Sequence, residues 1–218
     1  MKKQNLNQFL EILDKMFPHA HGELNYQNIY QLFVAVMLSA QTTDVRVNIV
    51  TPSLFEKYPS FKALKEAKLE ELEDLIKSVG LYKTKAKNLI SSASIVVDKY
   101  NGEVPTSLEE LIKLPGVGRK TASVILIEGH NIPAFPVDTH IERTSKRLGF
   151  ALPKDDAYKV ELKLRKKFPQ EMWRKLHHQM IFLGRYVCLA RKPDCENCLL
   201  NEICPKKEYK VKSKSKKV

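Results

Sequence analysis

Apolar residues recur at steps of three and four along most of the chain, which is the spacing of one face of an α-helix. One such face runs from Leu69 through Leu72 to Val79, and Gly80 follows it as the expected end of a helix. Two longer faces run through residues 86–100 and 173–187. No stretch alternates apolar and polar residues long enough to indicate a strand hairpin. The pattern therefore predicts an all-α fold.

Helix-start and helix-stop residues divide these segments. The stretch from Ser107 to Glu110 has the S-x-x-E form of a capping box, and Asp155, which follows Pro153, is predicted to be an N-cap. The apolar run over residues 32–38 has the length of a buried core segment. We predict a middle domain over residues 22–132 and a second domain made of residues 1–21 together with 133–204.

Charge narrows the choice of partner. The 218 residues carry 37 Lys and Arg against 25 Asp and Glu, a net charge of +12, and seven of those lysines lie in residues 205–218. We predict that these last residues form a basic disordered tail. A solubilising tail is the plain alternative, but the excess on both tail and body favours a polyanion, with nucleic acid first. No apolar run reaches the roughly 20 residues of a membrane helix, so no membrane partner and a cytoplasmic protein are expected.

The four cysteines of the chain lie within seventeen residues, at Cys188, Cys195, Cys198 and Cys204. Disulfides are the usual explanation in secreted proteins, but an intracellular chain keeps its thiols reduced. Both zinc and an iron–sulfur cluster take four thiolates. Only one short C-x2-C pair is present, and the wider loops around it favour an iron–sulfur cluster over zinc. The long loop also carries Arg191 and Lys192, which are either phosphate contacts or simply solvated.

A glycine hairpin lies between two helical patterns, at residues 107–113 and 119–129. Gly116 and Gly118 permit a tight reversal and leave room for backbone N–H groups, beside Arg119, to approach a phosphate. The following helix adds its positive dipole end. A plain helix–helix turn is the alternative.

Lys120 follows this hairpin at a helix start, where a cation is unfavourable. Its amine is a candidate nucleophile that would form a Schiff base with a sugar aldehyde carbon. An ordinary phosphate-binding lysine is the alternative that the hairpin alone favours. Asp138 precedes another helical pattern, which suits an N-cap, and its carboxylate could also stabilise a developing oxocarbenium ion.

These motifs, together with residues 38–44, 80–82 and 101–105, resemble those of the endonuclease III family over nearly the whole chain. That family comprises bifunctional DNA glycosylase/AP lyases of the helix–hairpin–helix superfamily. The resemblance implies a six-helix middle domain and a second domain, with a cleft between them. It also implies that the four cysteines hold a [4Fe–4S] cluster in a C-terminal loop.

The resemblance further implies a role for individual residues. Lys120 would be the nucleophile and Asp138 the essential carboxylate, while Gln41 and Leu81 would enter the space that a flipped nucleotide leaves in the DNA stack. The expected substrate is double-stranded DNA with damaged pyrimidines or abasic sites, bound by a monomer. Lysine attack at C1′ would remove an oxidised pyrimidine, and β-elimination would cleave the strand 3′ to the abasic site.

Two other functions are compatible with parts of this pattern. An adenine mismatch glycosylase belongs to the same superfamily, but that branch generally lacks a lysine at this place. A DNA-binding module without catalytic activity would use the hairpin and the metal loop to grip phosphate. The presence of both Lys120 and Asp138 argues against such a module. His177 and His178 belong to no motif and are predicted to be structural.

Overall fold

The computed structural model describes residues 3–205, and within that part of the chain all regular structure is helical. The all-α prediction is confirmed. The predicted basic tail lies outside the described residues except for Pro205. None of the described helices is long and apolar enough to cross a membrane. The helices are α1 Lys3–Met16, α2 Ile29–Ser39, α3 Asp44–Lys57, α4 Phe61–Lys65, α5 Leu69–Ile76, α6 Tyr82–Tyr100, α7 Leu108–Leu111, α8 Arg119–Val124, α9 Thr139–Arg147, α10 Ala157–Lys167 and α11 Trp173–Phe182.

The chain divides into two compact units. The middle unit is Gly22–Pro136, and the terminal unit combines Met1–His21 with Val137–Val218. Two helices continue into π-helical turns: α8 into Ile125–Gly129 in the middle unit, and α11 into Leu183–Val187 in the terminal unit. The segment 119–129 is therefore helical throughout, as the apolar spacing predicts.

The core of the middle unit is built around α2. Asn28 caps this helix by accepting from the Gln31 amide, and all of residues 32–38 are buried. Because α2 packs against α3, α6, α8 and the π-helical turn, apolar residues are needed on every side of it. The predicted core segment is confirmed.

The turn before α7 forms only half of the predicted capping box. The Ser107 hydroxyl accepts from the Glu110 amide at 3.2 Å, as expected for an N-cap. The Glu110 carboxylate instead accepts from the hydroxyl of Tyr100 at 3.4 Å. The carboxylate therefore ties α7 to the end of α6.

The terminal unit packs α1 against residues from the later part of the chain. Phe9 of α1 is fully buried, with its ring 4.9 Å from that of Phe150 and 6.0 Å from that of Phe168. Aromatic contacts at these distances and angles are favourable beyond the area that they bury. His177 and His178 of α11 are also buried, with their rings 4.9 Å apart, which suits the predicted structural role.

The N-cap prediction at Asp155 is wrong by one residue. Asp156 caps α10 by accepting from the Lys159 amide at 2.8 Å. Asp155 is buried, accepts from the Leu152 amide at 2.6 Å and forms an ion pair with Lys163. The carboxylate of Asp155 is thus used to close the preceding turn.

Candidate functional site

The glycine hairpin of the middle unit is anchored by buried residues on one side and exposed on the other. Val117 is buried, and the Ser92 hydroxyl donates to the Pro115 carbonyl at 2.9 Å. Gly116 is exposed with a φ of +80°, and a Cβ there would lie 2.7 Å from the side chain of Asn88. Glycine is therefore required at this position both by the left-handed backbone and by the close approach.

The start of α8 presents uncapped backbone N–H groups beside the exposed side chain of Lys120. Its N-cap is Gly118, so no side chain caps the first backbone N–H groups. Arg119 is half-buried, whereas Lys120 is exposed and its side chain makes no hydrogen bond or ion pair within residues 3–205. The uncapped N–H groups suit a phosphate, and the Lys120 amine is available either for phosphate binding or for nucleophilic attack.

Gln41 and Leu81 lie on two neighbouring turns of the middle unit. Both residues are exposed and both have left-handed backbone, with φ of 56° and 60°. The two turns touch at Gly80, where a Cβ would lie 3.2 Å from the Gln41 carbonyl oxygen. The predicted helix end at Gly80 is wrong, because α5 ends at Ile76, and Gly80 lies instead where the two turns approach closely.

Sequence reasoning missed Lys85, which ties these turns together. Its Nζ donates to the carbonyls of Leu38 and Ala40 and to the hydroxyl of Thr42, at 2.8, 2.5 and 3.0 Å. Burial lowers the pKa of the Lys85 ammonium below its ordinary value. The sequence offers one sign that Lys85 is buried, because it lies next to Ala86 on the apolar face of α6.

Asp138 of the terminal unit caps α9. Its Oδ1 accepts from the Ile141 amide at 2.8 Å, so the predicted N-cap is confirmed. The side chain is half-buried, and its second oxygen has no hydrogen-bond partner among the described residues. The role of Asp138 in catalysis stays a prediction, as does that of Lys120, which belongs to the middle unit.

Two arginines of α9 hold the start of the cysteine loop, and sequence reasoning missed both. Arg143 donates to the carbonyls of Gly184 and Cys188, at 2.6 and 3.2 Å. Arg147 donates to the carbonyl of Leu189 at 2.6 Å and to the Cys188 sulfur at 3.4 Å. Their spacing of four residues on one helix was the available signal.

All four cysteines line one small pocket beside Arg147. Burial, and to a smaller extent the three neighbouring thiols, raise the pKa of the Cys198 thiol. Within residues 3–205, no group of three or more His, Cys, Asp or Glu side chains is arranged around a single ion position. A four-iron cluster instead binds each thiolate at a different iron, so sulfurs spread around a cavity fit it.

The two cations of this loop are exposed. Arg191 and Lys192 both lie at the surface, and Lys192 has a φ of 51°. A left-handed lysine is unusual and reflects the tight path of the loop. The predicted contact of these side chains with phosphate stays a prediction.

Sequence comparison places residues 34–170 in a known group, described as HhH-GPD superfamily base excision DNA repair proteins. Residues 188–204 match the iron–sulfur binding domain of endonuclease III. Endonuclease III of Bacillus subtilis is 49% identical over 203 residues, which cover 92% of this chain and 93% of that one. Endonuclease III of Escherichia coli is 43% identical over 206 residues, covering 93% and 96%.

Solved structures give the same match. A trapped endonuclease III–DNA covalent intermediate superimposes with a TM-score of 0.90 at 49% identity, covering 94% of this chain and 97% of that one. A thermostable thymine-DNA glycosylase superimposes with a TM-score of 0.82 at 22% identity, covering 91% and 94%, which shows a shared fold.

Proposed function

Since the chain belongs to the endonuclease III family of HhH-GPD base excision repair proteins, we propose that Lys120 is its nucleophile and Asp138 its essential carboxylate. The protein is a DNA glycosylase with AP lyase activity that acts on oxidised pyrimidines in double-stranded DNA, and it carries a [4Fe–4S] cluster. The observation that supports Lys120 is its exposed, unpartnered amine at the uncapped start of α8.

The lysine chemistry proceeds in two stages. The amine lone pair of Lys120 forms a bond to C1′, and the N-glycosidic bond breaks. The base leaves with the electron pair of the glycosidic bond and takes up a proton. The amine then loses a proton, O4′ takes one up as the C1′–O4′ bond opens, and nitrogen and C1′ are left joined as a Schiff base. Removal of a C2′ proton expels the 3′ phosphate by β-elimination, and water hydrolyses the imine to regenerate Lys120.

Asp138 supports the first stage through its charge. An anionic carboxylate stabilises the oxocarbenium character that develops on the sugar as the base departs. One oxygen of Asp138 is fixed by the cap to the Ile141 amide, so the carboxylate is oriented before the substrate binds. The other oxygen can face the positive charge that develops on the sugar, or accept a proton.

The remaining predicted residues bind DNA or the cluster. We assign phosphate contacts to the backbone of Gly116 and Gly118, with Arg119, and to Arg191 and Lys192. Cys188, Cys195, Cys198 and Cys204 would hold the cluster, which cross-links their loop when bound. Gln41 and Leu81 would fill the space that the flipped nucleotide leaves in the duplex.

We also propose a domain organisation and a location for the protein. A domain over residues 22–132 would carry Lys120, and one made of 1–21 with 133–204 would carry Asp138 and the cysteines. The protein would act as a monomer. It would act in the cytoplasm, since its substrate is duplex DNA.

Borohydride trapping tests the nucleophile directly, because reduction converts a Schiff base into a permanent covalent adduct. The substrates are one duplex with a single thymine glycol and one with a single abasic site. Lys120→Met removes the amine and keeps the aliphatic stem. The matched control is Lys113→Met, which removes an exposed lysine from the other side of the hairpin.

We expect adducts on both duplexes for the native protein and for Lys113→Met, and none for Lys120→Met, although Lys120→Met still binds the duplex. An adduct formed by Lys120→Met at the native rate would show that another amine attacks C1′. An adduct on the abasic duplex alone would make the lesion assignment too narrow.

A further inference from the structure

Lys85 of α6 is a buried lysine that pairs with no carboxylate among residues 3–205. Only 6% of its surface is exposed, and three acceptors surround its Nζ: the carbonyls of Leu38 and Ala40 and the Thr42 hydroxyl. An ammonium has three N–H donors, so every donor has a partner. The acceptors lie at and just beyond the carboxyl end of α2, where the helix dipole favours a cation.

These acceptors enclose Gln41. Ala40 comes directly before it and Thr42 directly after it, and Lys85 holds both. Gln41 itself has a left-handed backbone, with a φ of 56°. Because this conformation is unfavourable for a side chain of its size, it persists only where the surrounding structure holds it. The ammonium of Lys85 supplies that restraint.

The backbone of Lys85 restrains the second turn. Its amide donates to the carbonyl of Leu81 at 3.0 Å, in the first turn of α6. Leu81 is also left-handed and has 60% of its surface exposed. Gly80 brings the two turns into contact, since a Cβ there would lie 3.2 Å from the Gln41 carbonyl oxygen. The Lys85 ammonium therefore holds the first turn, and the main-chain bond to Leu81 places that side chain directly after the second turn.

We propose that Lys85 is a positioning residue that locks Gln41 and Leu81 together in the conformation needed to fill the duplex beside a flipped nucleotide. This rests on the proposed role of Gln41 and Leu81 as the groups that enter the stack. Lys85 does not touch the reacting sugar. Its contribution is to hold both side chains ready before DNA arrives, so that binding does not have to order them.

The test separates stack filling from chemistry. A single-stranded abasic oligonucleotide has no opposing strand, so attack on it requires no stack filling, whereas excision of thymine glycol from a duplex does. For each variant the duplex excision rate is divided by the single-strand adduct rate, relative to the native protein. A second readout is the fluorescence of 2-aminopurine placed opposite the lesion, which reports how that base is stacked in the complex.

Four variants are compared. Lys85→Met removes the ammonium and keeps the stem, and Thr42→Val removes only one of its three hydrogen bonds, which keeps the test open if Lys85→Met folds poorly. Leu81→Ala tests the proposed wedge itself. Lys65→Met is the matched control, because it removes a partly buried lysine of the same unit that pairs with Asp98 at 2.6 Å.

We expect Lys85→Met to lower the duplex to single-strand ratio about 10- to 100-fold, as misplacement of positioning groups does, and to change the 2-aminopurine signal in the same direction as Leu81→Ala. Thr42→Val should act in the same direction with a smaller effect.

If Lys85 had a purely structural role, Lys85→Met would lower the duplex and single-strand rates equally, which is also the result expected for Lys65→Met. If Leu81→Ala lowers the ratio but Lys85→Met and Thr42→Val do not, the positioning role is wrong. If Leu81→Ala leaves the ratio unchanged, the wedge and the inference built on it both fail.

Discussion

Asp138 combines a structural contact and a proposed chemical role on one carboxylate. Its Oδ1 accepts from the Ile141 amide and thereby starts α9, while the second oxygen is unused within the described part of the chain. The two roles are separable by substitution because asparagine caps a helix about as well as aspartate but carries no charge.

We predict that Asp138→Asn leaves the free energy of unfolding within about 0.5 kcal/mol of the native value and slows adduct formation by about 100-fold or more. Thermal melting and borohydride trapping measure the two effects. Asp138→Ala serves as the comparison, since it also loses the cap and should cost about 1 kcal/mol of stability. Native adduct rates in Asp138→Asn would show that its charge plays no part.

Single residues show where sequence reasoning succeeds and where it stops. Asp138 is predictable as a cap because the signal is local: an aspartate directly before an apolar helical pattern. Lys85 is not, because its three acceptors lie more than 40 residues away in the chain. The roles of Gln41 and Leu81 came only from the family resemblance, because no residue pattern announces a left-handed turn built from Gln and Leu.

Apolar spacing predicts that a helix is present more reliably than it predicts where that helix begins and ends. The pattern over residues 119–129 becomes one helical segment, although its second half widens into a π-helical turn that spacing does not reveal. The N-cap shifts from Asp155 to Asp156 because the carboxylate of Asp155 is taken by Lys163. Such a choice between adjacent aspartates depends on burial, which the sequence does not display.

The contact between α1 and α11 gives a pH dependence. Asp14 accepts from Gln179 at 2.6 Å and pairs with Lys175 at 2.7 Å. Hydrogen bonds from Lys175 and Gln179 hold the pKa of the Asp14 carboxyl below its ordinary value of 3.8. The native state therefore binds its proton less readily than the unfolded chain, so this stabilisation is present above the ordinary pKa and is lost as the pH falls through the lowered one.

We predict that Asp14→Ala lowers the free energy of unfolding at neutral pH by about 0.5 kcal/mol, a small effect because the pair is half-exposed and screened by solvent. The difference from the native protein should shrink as the pH falls below 3.8, where the carboxylate becomes protonated. Urea unfolding at several pH values measures this difference. A constant difference at all pH values would mean that packing, and not charge, makes the contact.

At the scale of the whole molecule, charge sets the affinity for DNA. The chain has a net charge of +12, and lysines 206, 207, 210, 212, 214, 216 and 217 lie outside the described residues. Lysines that neutralise phosphates release counterions, so each such contact steepens the decline of affinity with salt by about 0.9 in logarithmic slope. The contribution of these lysines is therefore measurable without knowing their structure.

We predict that replacing these seven lysines with glutamine weakens duplex binding and makes its salt dependence shallower. Adduct formation at saturating DNA should stay at the native rate, because Lys120 and Asp138 are untouched. Fluorescence anisotropy over a range of salt concentrations gives the slope, with replacement of Lys57 and Lys65, which form ion pairs, as a control. An unchanged slope would mean that the tail does not contact phosphate.

The terminal unit combines α1 with residues made after Pro136, and this separation along the chain affects folding during synthesis on the ribosome. The whole of Gly22–Pro136 is made between α1 and the residues that bury Phe9. During synthesis, Phe9 of α1 cannot pack against Phe150 and Phe168 until those residues have been made, and α11 follows later still. The middle unit has all of its own residues much earlier, and domains tend to fold as units in the order of their emergence. The middle unit, which contains Lys120, can therefore fold on the ribosome before α1 packs in the terminal unit.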